Sequence, residues 1–123
     1  MVSERGQFSV RVAIANPSDP ARRADIELLV DTRATLSWVP RAIIEQLGVP
    51  RLSRRQFLVA DGRTVERDTA GAIVRIDGSE AIVTVVVAEP GDGHLLGATA
   101  LESLGFGVDP IRRRLVPQAL LAM

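Results

Sequence analysis

The chain of 123 residues contains no cysteine, no lysine and no tyrosine, and it has a single histidine and a single tryptophan. Without cysteine there is no disulfide, no thiolate nucleophile and no zinc–cysteine site. Without lysine there is no Schiff-base chemistry and no phosphate-loop lysine; all 15 basic residues are arginine. His94 alone cannot build a multi-histidine metal site within one chain, so neither a metal nor another cofactor is expected. It follows Gly91-Asp92-Gly93, far from any nucleophile elbow and without the residues of a phosphate loop. No apolar run approaches the ~20 residues of a membrane span. The opening Met1-Val2-Ser3-Glu4-Arg5 carries no signal-peptide core, so a cytoplasmic protein is the expectation.

Charge excludes further classes. The formal net charge is zero, which gives no pull toward nucleic acid or an anionic membrane. The run Arg112-Arg113-Arg114 has almost no aromatic company to stack bases and reads as a solvated turn. Carboxylates are left as the main acid–base groups. Apolar residues make up 46%, enough to fold the whole length, and the size suits one domain over residues 1–123.

The patterning is that of strands. Phe8, Val10, Val12 and Ile14 alternate with polar or small residues, the period of a half-buried strand. Asn16-Pro17-Ser18-Asp19-Pro20 predicts a turn, and a second strand runs from Ala24 to the apolar triplet Leu28-Leu29-Val30. Beyond Asp31 to Thr35 comes the apolar stretch Leu36 to Val39. Pro40 then suits the first turn of a helix through Leu47, closed by Gly48. Phe57 to Ala60 and Thr64-Val65 flank Asp61-Gly62, a hairpin signature, and Gly71–Ile76 with Ala81–Ala88 form another around Asp77-Gly78. Glu89 to Gly93 reads as a flexible polar loop. Leu95-Leu96-Gly97 leads into a short helix, Ala98 to Leu104, capped by Gly105. Asp109-Pro110 turns into a last strand at Leu115-Val116. The order is mainly β with two short helices and no βαβ alternation.

At this point a resemblance becomes specific. Leu29-Val30-Asp31-Thr32-x-Ala34-Thr35 resembles the apolar-apolar-Asp-Thr-Gly-Ala signature of retropepsin-like aspartic peptidases. Ala60-Asp61-Gly62-Arg63-Thr64 is similar to the flap hairpin of their bacterial members. Leu95-Leu96-Gly97 matches the apolar-apolar-Gly that precedes the family's helix, and Leu104 to Pro117 is similar to the bacterial ending. The resemblance covers roughly residues 8 to 117. It implies a closed β-barrel of the acid-protease type, half a site per chain, and a homodimer acting on a peptide or protein substrate.

The chemistry explains the residue types. Two close carboxylates sharing one proton can hydrolyse a peptide bond: one takes a proton from water while the other polarises the carbonyl. Only one Asp-Thr pair in this chain, Asp31-Thr32, follows two apolar residues, so the second carboxylate is the Asp31 of a symmetry mate. The resemblance further implies that Thr32 hydroxyls bond across the two-fold axis and that the hairpin at Asp61-Gly62 closes over an extended substrate. One position departs from the pattern, because Arg33 stands where the family has glycine. A guanidinium turned toward two carboxylates favours ionisation of both, leaving no acid, and its bulk opposes close approach of the loops; an Arg33 that points outward leaves the loop intact. Impaired activity is therefore expected, with a catalytically inactive dimeric binding protein as the alternative. Asp25, Asp68 and Glu80 read as solvated strand positions. Asp61, Asp77 and Asp109 read as turn formers, and Trp38 as core or interface.

Overall fold

The alternation that begins at Phe8 folds as β1 (Ser9–Asn16), with Val12 and Ile14 buried and Ser9 and Arg11 exposed. The computed structural model describes residues 7–119. After β1 come β2 (Asp19–Val30), β3 (Ser37–Pro40), α1 (Arg41–Gln46), β4 (Arg51–Leu58) and β5 (Thr64–Ile76). Then follow β6 (Ser79–Ala88), β7 (Leu95–Leu96), α2 (Ala98–Leu104), β8 (Phe106–Asp109) and β9 (Arg114–Pro117). The mainly β class with two short helices is the one expected.

Seven strands lie in the order β1-β2-β7-β3-β6-β5-β4, and β1 also pairs with β5 through Ala13–Ala15. That extra pairing closes six strands into a ring and leaves β4 attached to β5 alone. The core inside includes Ile14, Leu28, Val39, Val74, Val85 and Leu96, all essentially without solvent exposure. A smaller cluster of Trp38, Val86 and Ala88 lies apart, covered by Leu36, Phe57, Val59, Val65 and Leu95. The hairpin of β8 and β9 is separate from the ring.

Turn chemistry sets the register. Asn16 Oδ1 accepts the Ser18 N–H at 2.8 Å, while its Nδ2 donates to the Leu47 carbonyl at 2.8 Å, tying the first hairpin to α1. Asp77 and Gly78 both have positive φ, +49° and +82°, the backbone of a two-residue hairpin that matches strand twist.

The pieces expected at Thr64-Val65 and Gly71–Ile76 are one continuous strand, β5, and two further strands begin earlier than the sequence pattern predicts. β2 begins at Asp19 rather than near Ala24, and β4 at Arg51 rather than near Phe57. In both, the added residues are exposed. Hydrophobic alternation reports a buried face, and these stretches have none to report.

Candidate active site

Asp31 sits where β2 ends against β7. Leu29 and Val30 pair in parallel with Leu95 and Leu96, and the Asp31 N–H continues the ladder to the Leu96 carbonyl at 3.0 Å. The chain then turns, with the Ala34 N–H on the Asp31 carbonyl at 3.2 Å. The two carbonyls that follow receive the first free N–H groups of α2: Ala98 on Ala34 at 2.8 Å and Thr99 on Thr35 at 2.9 Å. A helix start leaves such donors unsatisfied, and here the Asp31 loop supplies the acceptors. Motifs far apart in sequence thus hold one another.

Gly97 is the closest point of that contact. A Cβ there would lie 2.6 Å from the Leu36 oxygen and 2.8 Å from the Ala34 oxygen, so only glycine fits without moving backbone. Its N–H donates to Ser37 Oγ at 2.9 Å. Ser37 is 1% exposed and was not singled out from the sequence. A lone hydroxyl between Leu36 and Trp38 was the available signal, since a buried polar side chain needs a partner.

The Asp31 side chain is 17% exposed, whereas Arg33 is 80% exposed. Asp31 Oδ1 accepts the Arg33 backbone N–H at 3.0 Å and its Nε–H at 3.4 Å. Thr32 is exposed and Ala34 half-buried. One chain therefore offers one half-buried carboxylate, covered on one side by its own arginine. So exposed an ion pair contributes at most about 1 kcal/mol, which does not lock Arg33 in place.

The hairpin between β4 and β5 carries Ala60, Asp61, Gly62 and Arg63 at its exposed tip. The Val59 N–H bonds to the Arg63 carbonyl and the Gly62 N–H to the Val59 carbonyl, both at 2.9 Å. Gly62 has φ +90°, a conformation glycine adopts without strain. Asp61 accepts the Arg63 backbone N–H at 3.0 Å and its Nε–H at 2.6 Å, and these bonds hold its carboxyl below the usual aspartate value. At the base, Phe57 meets Trp38 edge to face, with ring centres 5.7 Å apart.

Beside that base lies an ion network with no local signature in the sequence. Asp68 is not solvated as expected: it is 8% exposed, and it accepts from Arg41 Nη2 at 2.8 Å and Arg54 Nη1 at 3.1 Å. Arg41 also grips Glu89, its Nη2 and Nε lying 2.6 and 2.9 Å from Oε2. Arg67 binds Asp92 through two bonds of 2.7 and 2.9 Å, and Asp92 takes the Glu89 N–H at 2.8 Å. The arginines depress all three carboxyls, Arg41 acting first on Asp68 and Glu89 and Arg67 on Asp92. The loop Glu89 to Gly93, expected to be flexible, is thus tied at two points. Asp25, Glu80, Asp77 and Asp109 are surface or turn residues, as read. Among the described residues no His, Asp and Glu side chains gather as metal ligands, and no helix is long and apolar enough to cross a membrane.

No protein-family model matches the sequence, and the comparison with curated proteins gives no match. Solved structures do match. The EIAV protease in complex with the inhibitor HBY-793 superposes with a TM-score of 0.60 at 21% identity, over 85% of this chain and 94% of that one. The retroviral protease-like domain of Ddi1 from Leishmania major gives 0.55 at 16% identity, over 92% and 90%. A retropepsin-like aspartic protease from Rickettsia conorii gives 0.50 at 18% identity, over 84% and 86%. With Asp31 at the end of β2, braced by Leu95-Leu96-Gly97, this chain has the retropepsin-like fold.

Proposed function

We propose that the chain is one subunit of a homodimeric aspartic endopeptidase, in which Asp31 of each copy supplies half of the catalytic dyad. The observation that carries this reading is the seat of Asp31. It is a half-buried carboxylate at the end of a strand, its loop braced by hydrogen bonds to Leu96 and to the start of α2. Burying part of a carboxylate is unfavourable without a purpose, and a fixed one can share a proton with its copy. One Asp31 would activate water while the protonated partner polarises the scissile carbonyl. Thr32 would hold the two loops across the axis. The hairpin tip, Ala60 to Arg63, would close over a peptide bound as an added strand. The setting proposed is cytoplasmic, with which the lack of cysteine is consistent.

A second reading has its own observation. The Arg33 Nε lies 3.4 Å from Asp31 Oδ1, so two copies would bring two cations to the two carboxylates. On this reading the dimer would bind peptides or partner proteins without cutting them. Cleavage of a mixed peptide library by the chain, by Arg33→Gly and by Asp31→Asn separates the two. Turnover that disappears in Asp31→Asn supports the peptidase. Binding with no turnover in either the chain or Arg33→Gly supports the binding protein and overturns the peptidase.

A further inference from the structure

The Asp31 loop and the hairpin tip carry the same local device. In Asp31-Thr32-Arg33 and in Asp61-Gly62-Arg63, the aspartate accepts the backbone N–H and the Nε–H of the arginine two residues on. The Nε of Arg63 is held by a bond of 2.6 Å, whereas that of Arg33 makes a longer, looser one of 3.4 Å. The Nη groups of Arg33 and Arg63 make no hydrogen bond among the described residues, and the side chains are 80% and 71% exposed. With Nε facing its own aspartate, each guanidinium leaves its two Nη groups free as a fork, which matches a carboxylate.

Both turns rise from one apolar cluster. Leu36, shortly after Arg33, and Val59, shortly before Arg63, pack against Trp38, Val86 and Ala88. A third cation belongs to the same surface. Arg55 pairs in register with Arg67, on the hairpin face that carries Phe57 and Val65. Phe57 and Val65 also cover the Trp38 cluster. Arg67 is taken by Asp92, whereas Arg55 has no carboxylate partner among the described residues. In a chain of zero net charge, the two turns and this face hold three arginines with free donors, while their own aspartates are engaged.

We propose that the peptide taken between the Asp31 loop and the Asp61-Gly62 hairpin is acidic, its aspartate or glutamate side chains docking on Arg33, Arg63 and Arg55. The inference rests on the peptide-cleft reading above. Arg55 and Arg63 lie outside the Asp31 loop, so changing them leaves the catalytic carboxylate untouched. All three are exposed, so their glutamine variants keep the fold.

The test is fluorescence anisotropy with labelled extended peptides of equal length, acidic, neutral and basic, at low and physiological salt. The acidic peptide should bind at least about tenfold tighter than the neutral one, with the gap narrowing as salt rises. Arg55→Gln and Arg63→Gln should each remove about three- to tenfold of that preference. Arg63→Glu should abolish it, and Arg114→Gln, in the separate β8–β9 hairpin, should change nothing. Equal binding of all three peptides overturns this inference and leaves the peptide cleft standing. Absence of any peptide binding or cleavage overturns both. A single-stranded oligonucleotide that displaces the acidic peptide, binds more tightly and responds to the same variants overturns the acidic-peptide assignment in favour of nucleic acid.

Discussion

Arg33 donates its backbone N–H, at 3.0 Å, and its Nε–H, at 3.4 Å, to the same oxygen of Asp31. The first bond is ordinary turn chemistry that any residue but proline can make at this position. The second depends on arginine, and it places a full positive charge on the carboxylate that a dyad would need to share a proton.

Removing that charge should release activity. Arg33→Gly is expected to raise peptidase activity at least about tenfold, because an orderly dyad needs both the shared proton and loops within about 1 Å of their productive place. Asp31→Asn should abolish cleavage in either background. The measurement is initial rate on a mixed peptide library from mildly acidic to neutral pH. Equal rates for the chain and its glycine variant would mean that Arg33 does not restrain the site.

Assembly should be visible in solution. Sedimentation is expected to show a dimer at micromolar concentration, and Arg33→Gly should tighten it by taking two cations away from the axis. A chain that remains monomeric in both forms would leave Asp31 without its partner.

Gly97→Ala probes the brace. Its Cβ would meet the Leu36 and Ala34 oxygens at 2.6 and 2.8 Å, both backbone atoms, and such overpacking costs about 1–3 kcal/mol. Urea denaturation should show that loss, and any activity should fall by more than the stability change alone explains, because the Asp31 loop must move.

The ion network should make stability depend on acid. Asp68, Glu89 and Asp92 have carboxyls held below their ordinary values of 3.8, 4.5 and 3.8. Groups depressed in the folded state add stability that is complete above those ordinary values and is lost as pH falls through the lower, folded ones. The thermal midpoint should therefore hold from neutral pH to about pH 5 and then decline through the region below pH 4. Arg41→Gln, which takes the main partner from Asp68 and Glu89, should lower stability at neutral pH by about 2 kcal/mol and flatten the acid slope. An unchanged slope would place the acid sensitivity elsewhere.

The hairpin tip should exchange its amides faster than the ring. Gly62 and Arg63 are exposed, and each amide N–H makes one local hydrogen bond, while Ile14, Leu28 and Val85 lie in ladders without solvent exposure. Hydrogen exchange should show rapid labelling at residues 60–63 that slows when a peptide binds. Exchange as slow as in the ring would rule out a gating hairpin.

The sequence by itself determined the parts whose signal is local. The alternation beginning at Phe8, the Asp61-Gly62 and Asp77-Gly78 turns, Pro40 before α1 and Gly105 after α2 all act within a few residues. Asp31 was legible for a related reason, as a carboxylate closing an apolar run. Tertiary structure alone decided the rest. Ser37 finds its partner at Gly97, 60 positions away, and Arg41 finds Asp68 and Glu89 across separations of 27 and 48. The extra length of β2 and β4 is set by hydrogen bonds to neighbouring strands, which leave no trace in exposed side chains. The side of Asp31 that Arg33 covers also belongs to the fold. A flexible, solvated guanidinium takes the position its surroundings leave open, and no pattern of residue types fixes that in advance.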